Sequence, residues 1–444
     1  MAWPAVFDGG IRRLTYAVAA PAAFLSQHAI LLTASAALGQ RLPLDAEFWL
    51  MPLASFAQIP DLSPGIAALA FVANLIAAAL LAMLAFRRAA ASRQGYALVP
   101  FVLVPIVQVV ALFALAAVPV SAEDESTAPP EAQANAFAIV QGMLAGMALI
   151  LFGVTVSALA FGAYGWGLFV FTPFVVGLTT AYLANRNGLI DGRRSQLLVL
   201  AAAALGCLML IAVALEGLVC IILAAPLGAG AALVGGLMGR ALAAVRAGGS
   251  APLACVAVLP LLFAIEAAMP PNVVIRSNAS IDIAAPPAAV WRALTSDEEI
   301  RLTPGLPFRL GLAYPIRARL LGQGVGAERL GFFSTGIARE RITEWQPGRR
   351  LAFALLSQPP VMTELSPYAE VHAPHVRGYF ETRATGFILL PLPGGRTRLV
   401  VEAEHVLRLD PVLYWEPVAR WAIGRNLERV LADLRARAEQ AGRS

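Results

Sequence analysis

Eight apolar stretches, each close to or above the length that crosses a bilayer, crowd the region before Pro271. They run over about 14–38, 65–86, 97–120, 135–161, 166–184, 197–222, 226–245 and 251–269. Crossing about 30 Å of hydrocarbon takes about 20 apolar residues in a helix, since each backbone polar group must find its partner inside the segment. The pattern predicts an α-helical transmembrane bundle of about eight helices.

The charge distribution divides the chain. Only 14% of residues are charged and 59% are hydrophobic, where a soluble protein carries about a quarter charged. Met1–Pro271 holds 11 Arg and 11 acidic residues, whereas Asn272–Ser444 holds 22 Arg and 17 acidic residues. The expected organisation is a multi-pass transmembrane domain over 1–271 and a soluble domain over 272–444, hinged at Pro270-Pro271. Cys207, Cys220 and Cys255 all sit in apolar stretches and give neither a disulfide framework nor metal-ligand spacing. The first apolar span follows Arg12-Arg13 without a small-residue cleavage site, so it reads as a retained helix.

Arginine placement suggests a topology. Arg12 and Arg13 precede the first span, Arg87, Arg88 and Arg93 follow the second, and Glu123, Asp124, Glu125 and Glu131 follow the third. The positive-inside rule then puts the N-terminus in the cytoplasm and the acidic loop outside. Eight crossings, favoured by segment length, return the C-terminal domain to the cytoplasm but leave Arg186, Arg193, Arg194, Arg240 and Arg246 outside. A re-entrant turn at Gly162–Gly167 would reverse both outcomes. Asp45–Pro64, with Phe48 and Trp49, reads as an interfacial segment.

Ionisable groups within spans are costly, which singles out His28, Glu216 and Glu266. Glu216 is placed deep in the sixth span. No second carboxylate lies at helical spacing to share its proton, so a hydrogen-bonded carboxyl fits better than a relay. Gly142/Gly146 and Gly235/Gly239 form GxxxG pairs that allow helices to pack closely. Phe7–Tyr16, together with Arg87-Arg88, resembles the start of small multi-pass bacterial membrane proteins of unknown function, with Gly10 replacing a customary Arg. This likeness implies a bacterial inner membrane and no activity.

The region after 272 changes period. Residues 273–283 read as a strand, Pro286-Pro287 opens a short helix over Ala288–Leu294, and Ser296 is placed to cap a second helix from Asp297. Strand-like runs follow at 316–321, 325–333, 336–345, 351–357, 378–390 and 397–408, then a long helix from Asp410-Pro411 to about Glu439. Alternation puts Leu351 and Phe353 on one face of their strand, Phe380, Thr382, Ala384, Ile388 and Leu390 on another, and Val401, Ala403 and His405 on a third. Ile423, Leu427, Val430 and Leu434 make one apolar stripe on the long helix. Glu340 and Glu344 share a strand face whose direction alternation leaves open.

The run Ile281-Asp-Ile-Ala-Ala-Pro-Pro-Ala-Ala-Val-Trp-Arg-Ala-Leu294, with Glu344-Trp345-x-Pro347 and the C-terminal helix, resembles the START-like (SRPBCC) superfamily of polyketide cyclases, coenzyme Q-binding and lipid-transfer proteins. That resemblance implies an α+β helix-grip domain, a curved antiparallel sheet wrapped on the long helix around an apolar cavity. The expected ligand-binding residues are Leu351, Phe353, Phe380, Thr382, Ala384, Val401, Ala403, His405, Ile423, Leu427 and Val430. His405 is the candidate catalytic residue, the other reading being a core histidine satisfied by a neighbour.

Other chemistries find little support. His372 and His375 form HxxH in a Pro-rich loop without a third ligand type. No P-loop, dinucleotide glycine pattern or nucleophile elbow occurs, so no metal or cofactor is expected. Arg interspersed with acids argues against nucleic acid. The expected partners are the lipid bilayer and a hydrophobic small molecule, held by a membrane-anchored binding protein. The alternatives are a cyclase- or hydrolase-like enzyme on a membrane-derived substrate, and a transporter centred on Glu216.

Overall fold

The computed structural model describes residues 11–45, 48–49, 52–57, 59, 64–92, 96–118, 130–213, 215–245, 250–366 and 377–441. Among these are α1 (Arg13–Ala37), α2 (Pro52–Ala57), α3 (Pro64–Ser92), α4 (Pro105–Ala117), α5 (Pro130–Val154), α6 (Thr172–Asn185), α7 (Gly192–Ala212), α8 (Leu218–Ala244) and α9 (Ser250–Ala268). Six helical segments are long and apolar enough to cross a membrane, and 107–117 and 254–268 are shorter apolar helices. The acidic cluster Glu123–Glu125, Arg93, Arg246, Phe7–Gly10 and the pair His372/His375 lie outside the described residues.

Two expectations about the spans are corrected. The stretch 97–120 is not one α-helix: Tyr96–Leu103 is a 3-10 helix, and α4 begins at Pro105. Proline has no N–H to donate, so it starts a new helix more readily than it continues one. The run 197–222 also breaks earlier than its hydropathy suggests, since α7 ends at Ala212 and α8 starts at Leu218. Glu216 therefore lies in a connection between helices, where it is buried, and not deep within a span. Pro226 is accommodated inside α8.

Small residues set the helix packing. A side chain at Gly235 or Gly239 would strike the backbone of α6 at Phe174 or Leu178, and one at Gly177 would strike Ala232. Backbones this close need glycine at the contact. His28 is buried with both ring nitrogens 3.1 Å from carbonyl oxygens, of Phe24 and Trp49, and its ring stacks on Trp49 at 4.9 Å. It fastens the segment beside α2 to α1. Arg88, completely buried, donates from Nε to Leu115 O at 3.2 Å and also to Val118 O, so it caps the end of α4.

After α9 come β1 (Val273–Ile283), α10 (Pro287–Thr295), α11 (Leu306–Arg309), β2 (Pro315–Leu320), β3 (Glu328–Phe333), β4 (Gly336–Gln346), β5 (Arg350–Ser357), β6 (Phe380–Leu392), β7 (Arg396–Leu407) and α12 (Val412–Ala441). The seven strands form one antiparallel sheet in the order β1-β7-β6-β5-β4-β3-β2. The sheet curls around α12, which is the helix-grip arrangement. The second helix begins at Leu306 and not at Asp297, because Asp297 is engaged by Arg317 and Arg319 of β2. Ile283, Val290, Leu294, Ile342, Leu351, Leu399, Leu431 and Leu434 pack the core at one end of the sheet.

Candidate functional site

A cavity of about 360 Å³ lies between the sheet and α12. Its volume suits a small ligand, for which pockets of roughly 300–1,000 Å³ are usual. Strand alternation puts Phe353 and Leu355 of β5, Phe380 and Thr382 of β6, and Val401, Ala403 and His405 of β7 on its wall, and α12 contributes Ile423, Leu427 and Val430. Nine of the eleven sequence-derived candidates thus come together.

Leu351 and Ala384 do not. Leu351 points inward but is packed into the core with Ile283 and Leu399. Ala384 lies on the exposed outer face. Between Thr382, opposite His405, and Ala384, opposite Glu404, β6 carries one extra residue. Such a bulge moves every later side chain to the other face. Thr385 and Phe387 therefore line the cavity, and Leu390 is exposed, contrary to simple alternation.

His405 is 6% exposed. Its Nδ1 lies 3.0 Å from the Thr382 hydroxyl, and its ring stacks on Phe380 at 5.2 Å. Gln358 accepts from Thr382 N at 2.9 Å and donates to Phe380 O at 2.6 Å, which fixes this edge of β6. Burial depresses the His405 pKa to about 4, so the ring is neutral at ordinary pH. Nε2 has no partner among the described residues. It is an acceptor or donor at the wall, according to which way the Thr382 hydrogen bond runs.

An ion pair escaped the sequence reading. Ala338, Glu340 and Ile342 are the inward residues of β4, and Glu340 pairs with Arg329 of β3. Burial pushes the Glu340 carboxyl up, and the guanidinium beside it works the other way. Arg329 also lies over the Phe353 ring at 4.1 Å. Gly331 leaves the room for Glu340, since a side chain there would meet its carboxylate at 2.9 Å. The signal was present in the sequence: a glutamate in register with Ala338 and Ile342. A shift between Ile342 and Glu344 takes Glu344 out of that register to pair with Arg350 at 2.9 Å.

The helical part contributes to the cavity wall. Tyr164, Phe169, Cys220 and Leu223 belong to its lining. Tyr164 and Phe169 come from a break in the helices. There α5 runs on into the π-helical turn Thr155–Phe161, and the chain resumes as a second π-helical turn at Gly167–Phe171. Irregular backbone at membrane depth is tolerated where protein buries it or it lines a cavity. Glu266 of α9 accepts from Gly167 N at 2.8 Å, and Gly165 and Gly167 have no side chain to collide with it. Phe169 packs edge-to-face on Trp415 of α12 at 4.9 Å, and Tyr164 on Tyr379 at 4.8 Å. Asp410 N donates to Tyr164 O at 3.2 Å, and the Tyr414 hydroxyl donates to Leu223 O at 2.6 Å.

A strap after β5 makes a second attachment. Residues 361–363 hydrogen-bond to 311–313 through Ala313 N to Val361 O at 2.9 Å and Thr363 N to Gly311 O at 2.8 Å. The next two residues cap α8. Glu364 Oε2 accepts from Val219 N at 3.1 Å and Cys220 N at 3.3 Å, and Leu365 O accepts from Leu218 N at 2.9 Å. These are N–H groups that a helix start leaves without internal partners, at its positive dipole end.

Comparison with known proteins bears on this C-terminal part. Residues 274–439 match the family described as polyketide cyclase / dehydrase and lipid transport. Among solved structures, an aromatase/cyclase from a Streptomyces species is 17% identical, with 38% of this chain and 95% of that one covered and a TM-score of 0.26. Norcoclaurine synthase from Thalictrum flavum is 12% identical, with 37% and 86% covered and a TM-score of 0.24. A protein from Thermus thermophilus is 18% identical, with 38% and 99% covered and a TM-score of 0.26. No curated protein matches the chain.

Proposed function

From a helix-grip domain of the START-like type joined to a run of apolar helices, we propose that this protein binds a lipid or other hydrophobic small molecule at the junction of the two parts. The helices anchor it in a bacterial inner membrane, with the N-terminus and the C-terminal domain on the cytoplasmic side. The observation that carries the reading is the composition of the cavity wall. It is mainly apolar, and Tyr164, Phe169, Cys220 and Leu223 of the helical part complete it. The membrane domain is then part of the binding site as well as an anchor. Binding of this kind needs no catalytic group.

Native mass spectrometry of the detergent-solubilised full chain tests the reading, with Ala403→Phe as its control. Ala403 is 7% exposed and lines the cavity, so a phenyl ring there occludes the space at an overpacking cost of about 1–3 kcal/mol. The wild type should retain a hydrophobic molecule that the variant loses. Equal retention by both would sink the proposal. An enzyme acting on a bound hydrophobic substrate through His405 is the second reading, favoured by the neutral imidazole at the wall. It requires His405→Ala to remove turnover while binding persists.

A further inference from the structure

We infer that the cavity selects an uncharged apolar molecule over a fatty acid or a phosphate-bearing lipid. This inference rests on the hydrophobic-ligand reading above and adds the charge of the ligand.

The charges at the wall cancel. Glu298, Arg317, Arg329, Glu340 and Arg437 line the cavity. Glu298 pairs with Arg301 at 3.6 Å, Arg317 with Asp297 at 3.2 Å and Arg437 with Asp433 at 2.8 Å, while Arg329 and Glu340 pair with each other. Every cation of the lining already has a carboxylate partner. An anionic head would enter a low-dielectric space with no counter-charge to receive it, which is strongly unfavourable.

Matched probes test the inference. Radiolabelled 1-monopalmitoylglycerol and palmitate share an acyl chain but differ in charge at a pH where the acid is ionised. Each is titrated into the detergent-solubilised full chain, and binding that persists in Ala403→Phe is subtracted. The wild type should bind the glycerol ester at least about tenfold more tightly, a difference of one decade in Kd. Glu340→Gln leaves Arg329 without its counter-charge, so the ratio of palmitate to glycerol-ester affinity should rise about tenfold. A merely structural role for Glu340 would weaken both probes together. Thermal unfolding establishes that the variant is folded, and the wild-type comparison stands without it. Palmitate binding as tight as the ester overturns the inference on charge. Absence of cavity-specific binding for both probes overturns the hydrophobic-ligand reading beneath it.

Discussion

The hydroxyl of Tyr379, just before β6, donates a 2.6 Å hydrogen bond to the carbonyl oxygen of Gly162, where the helical part is broken. Gly162 has a φ of +60°, a left-handed conformation that glycine adopts without penalty, and it turns its carbonyl out of the helix. The C-terminal domain thus supplies the partner that the break lacks. Tyr379→Phe removes that partner at a cost of about 0.5–1.5 kcal/mol, the net contribution of an ordinary hydrogen bond, since the contact is exposed. Hydrogen exchange in residues 155–171 should speed up in the variant. Unchanged exchange there would mean that the contact does not hold the break.

Glu364 offers a second handle on the same junction. Its carboxylate takes two N–H groups at the start of α8, as a capping side chain does. Glu364→Ala should cost about 1 kcal/mol, the usual loss when a helix cap is deleted. Glu364→Gln, which keeps an acceptor oxygen, should recover most of it. Limited proteolysis reads the effect, since residues 358–366 should become cleavable in the alanine variant. Equal resistance of the alanine variant and the wild type would remove the strap from the account.

His405 makes stability depend on pH in a stated direction. Its pKa falls from 6.5 to about 4 on folding because burial disfavours the imidazolium. Between those values the unfolded chain binds the extra proton, so the contribution is full above pH 6.5 and is lost as pH falls toward 4. The loss is on the order of 3 kcal/mol for a shift of this size. His405→Phe should flatten the wild-type decline over that window, measured by thermal unfolding in detergent. An unaltered pH profile would place the imidazole in water.

Residues 272–444 should fold alone as a cooperative α/β unit, with a core at Val290, Leu399 and Leu431 that includes no residue before 272. The fragment should nevertheless bind an apolar dye at the face of Tyr379, Phe380 and Trp415, which the helical part covers in the full chain. Its affinity for hydrophobic ligands should drop, because the cavity lacks one wall. Circular dichroism of an unfolded chain, with or without detergent, would contradict the proposed division at 271/272.

Much of the fold was legible because it rests on local periodicity. The Ala-Pro turn before α10, the alternating strands and the Ile423–Leu434 stripe each announce their element within a dozen residues. Simple alternation turns Ala384 inward because one extra residue in β6 is invisible until β7 fixes the register. Hydropathy puts Glu216 deep in a span because it cannot see a helix break whose far side, at Val219, Glu364 caps from 145 positions away. The Arg329–Glu340 pair needs the β3–β4 register to become visible, since it is strand pairing that sets the two residues opposite each other. The helical wall of the cavity has no local signal at all, as Phe169 meets Trp415 and Tyr164 meets Tyr379 only through tertiary docking.

That shared wall is the centre of the account, and photolabelling tests it directly. A diazirine-bearing apolar probe is bound to the full chain in detergent, activated, and the labelled peptides are mapped by mass spectrometry. Label is expected in both parts of one site, on Tyr164–Phe169 or Cys220–Leu223 and on β7 or α12, with both signals lost together in Ala403→Phe. Label confined to the C-terminal domain, or spread over outward-facing helices and indifferent to Ala403→Phe, would contradict it.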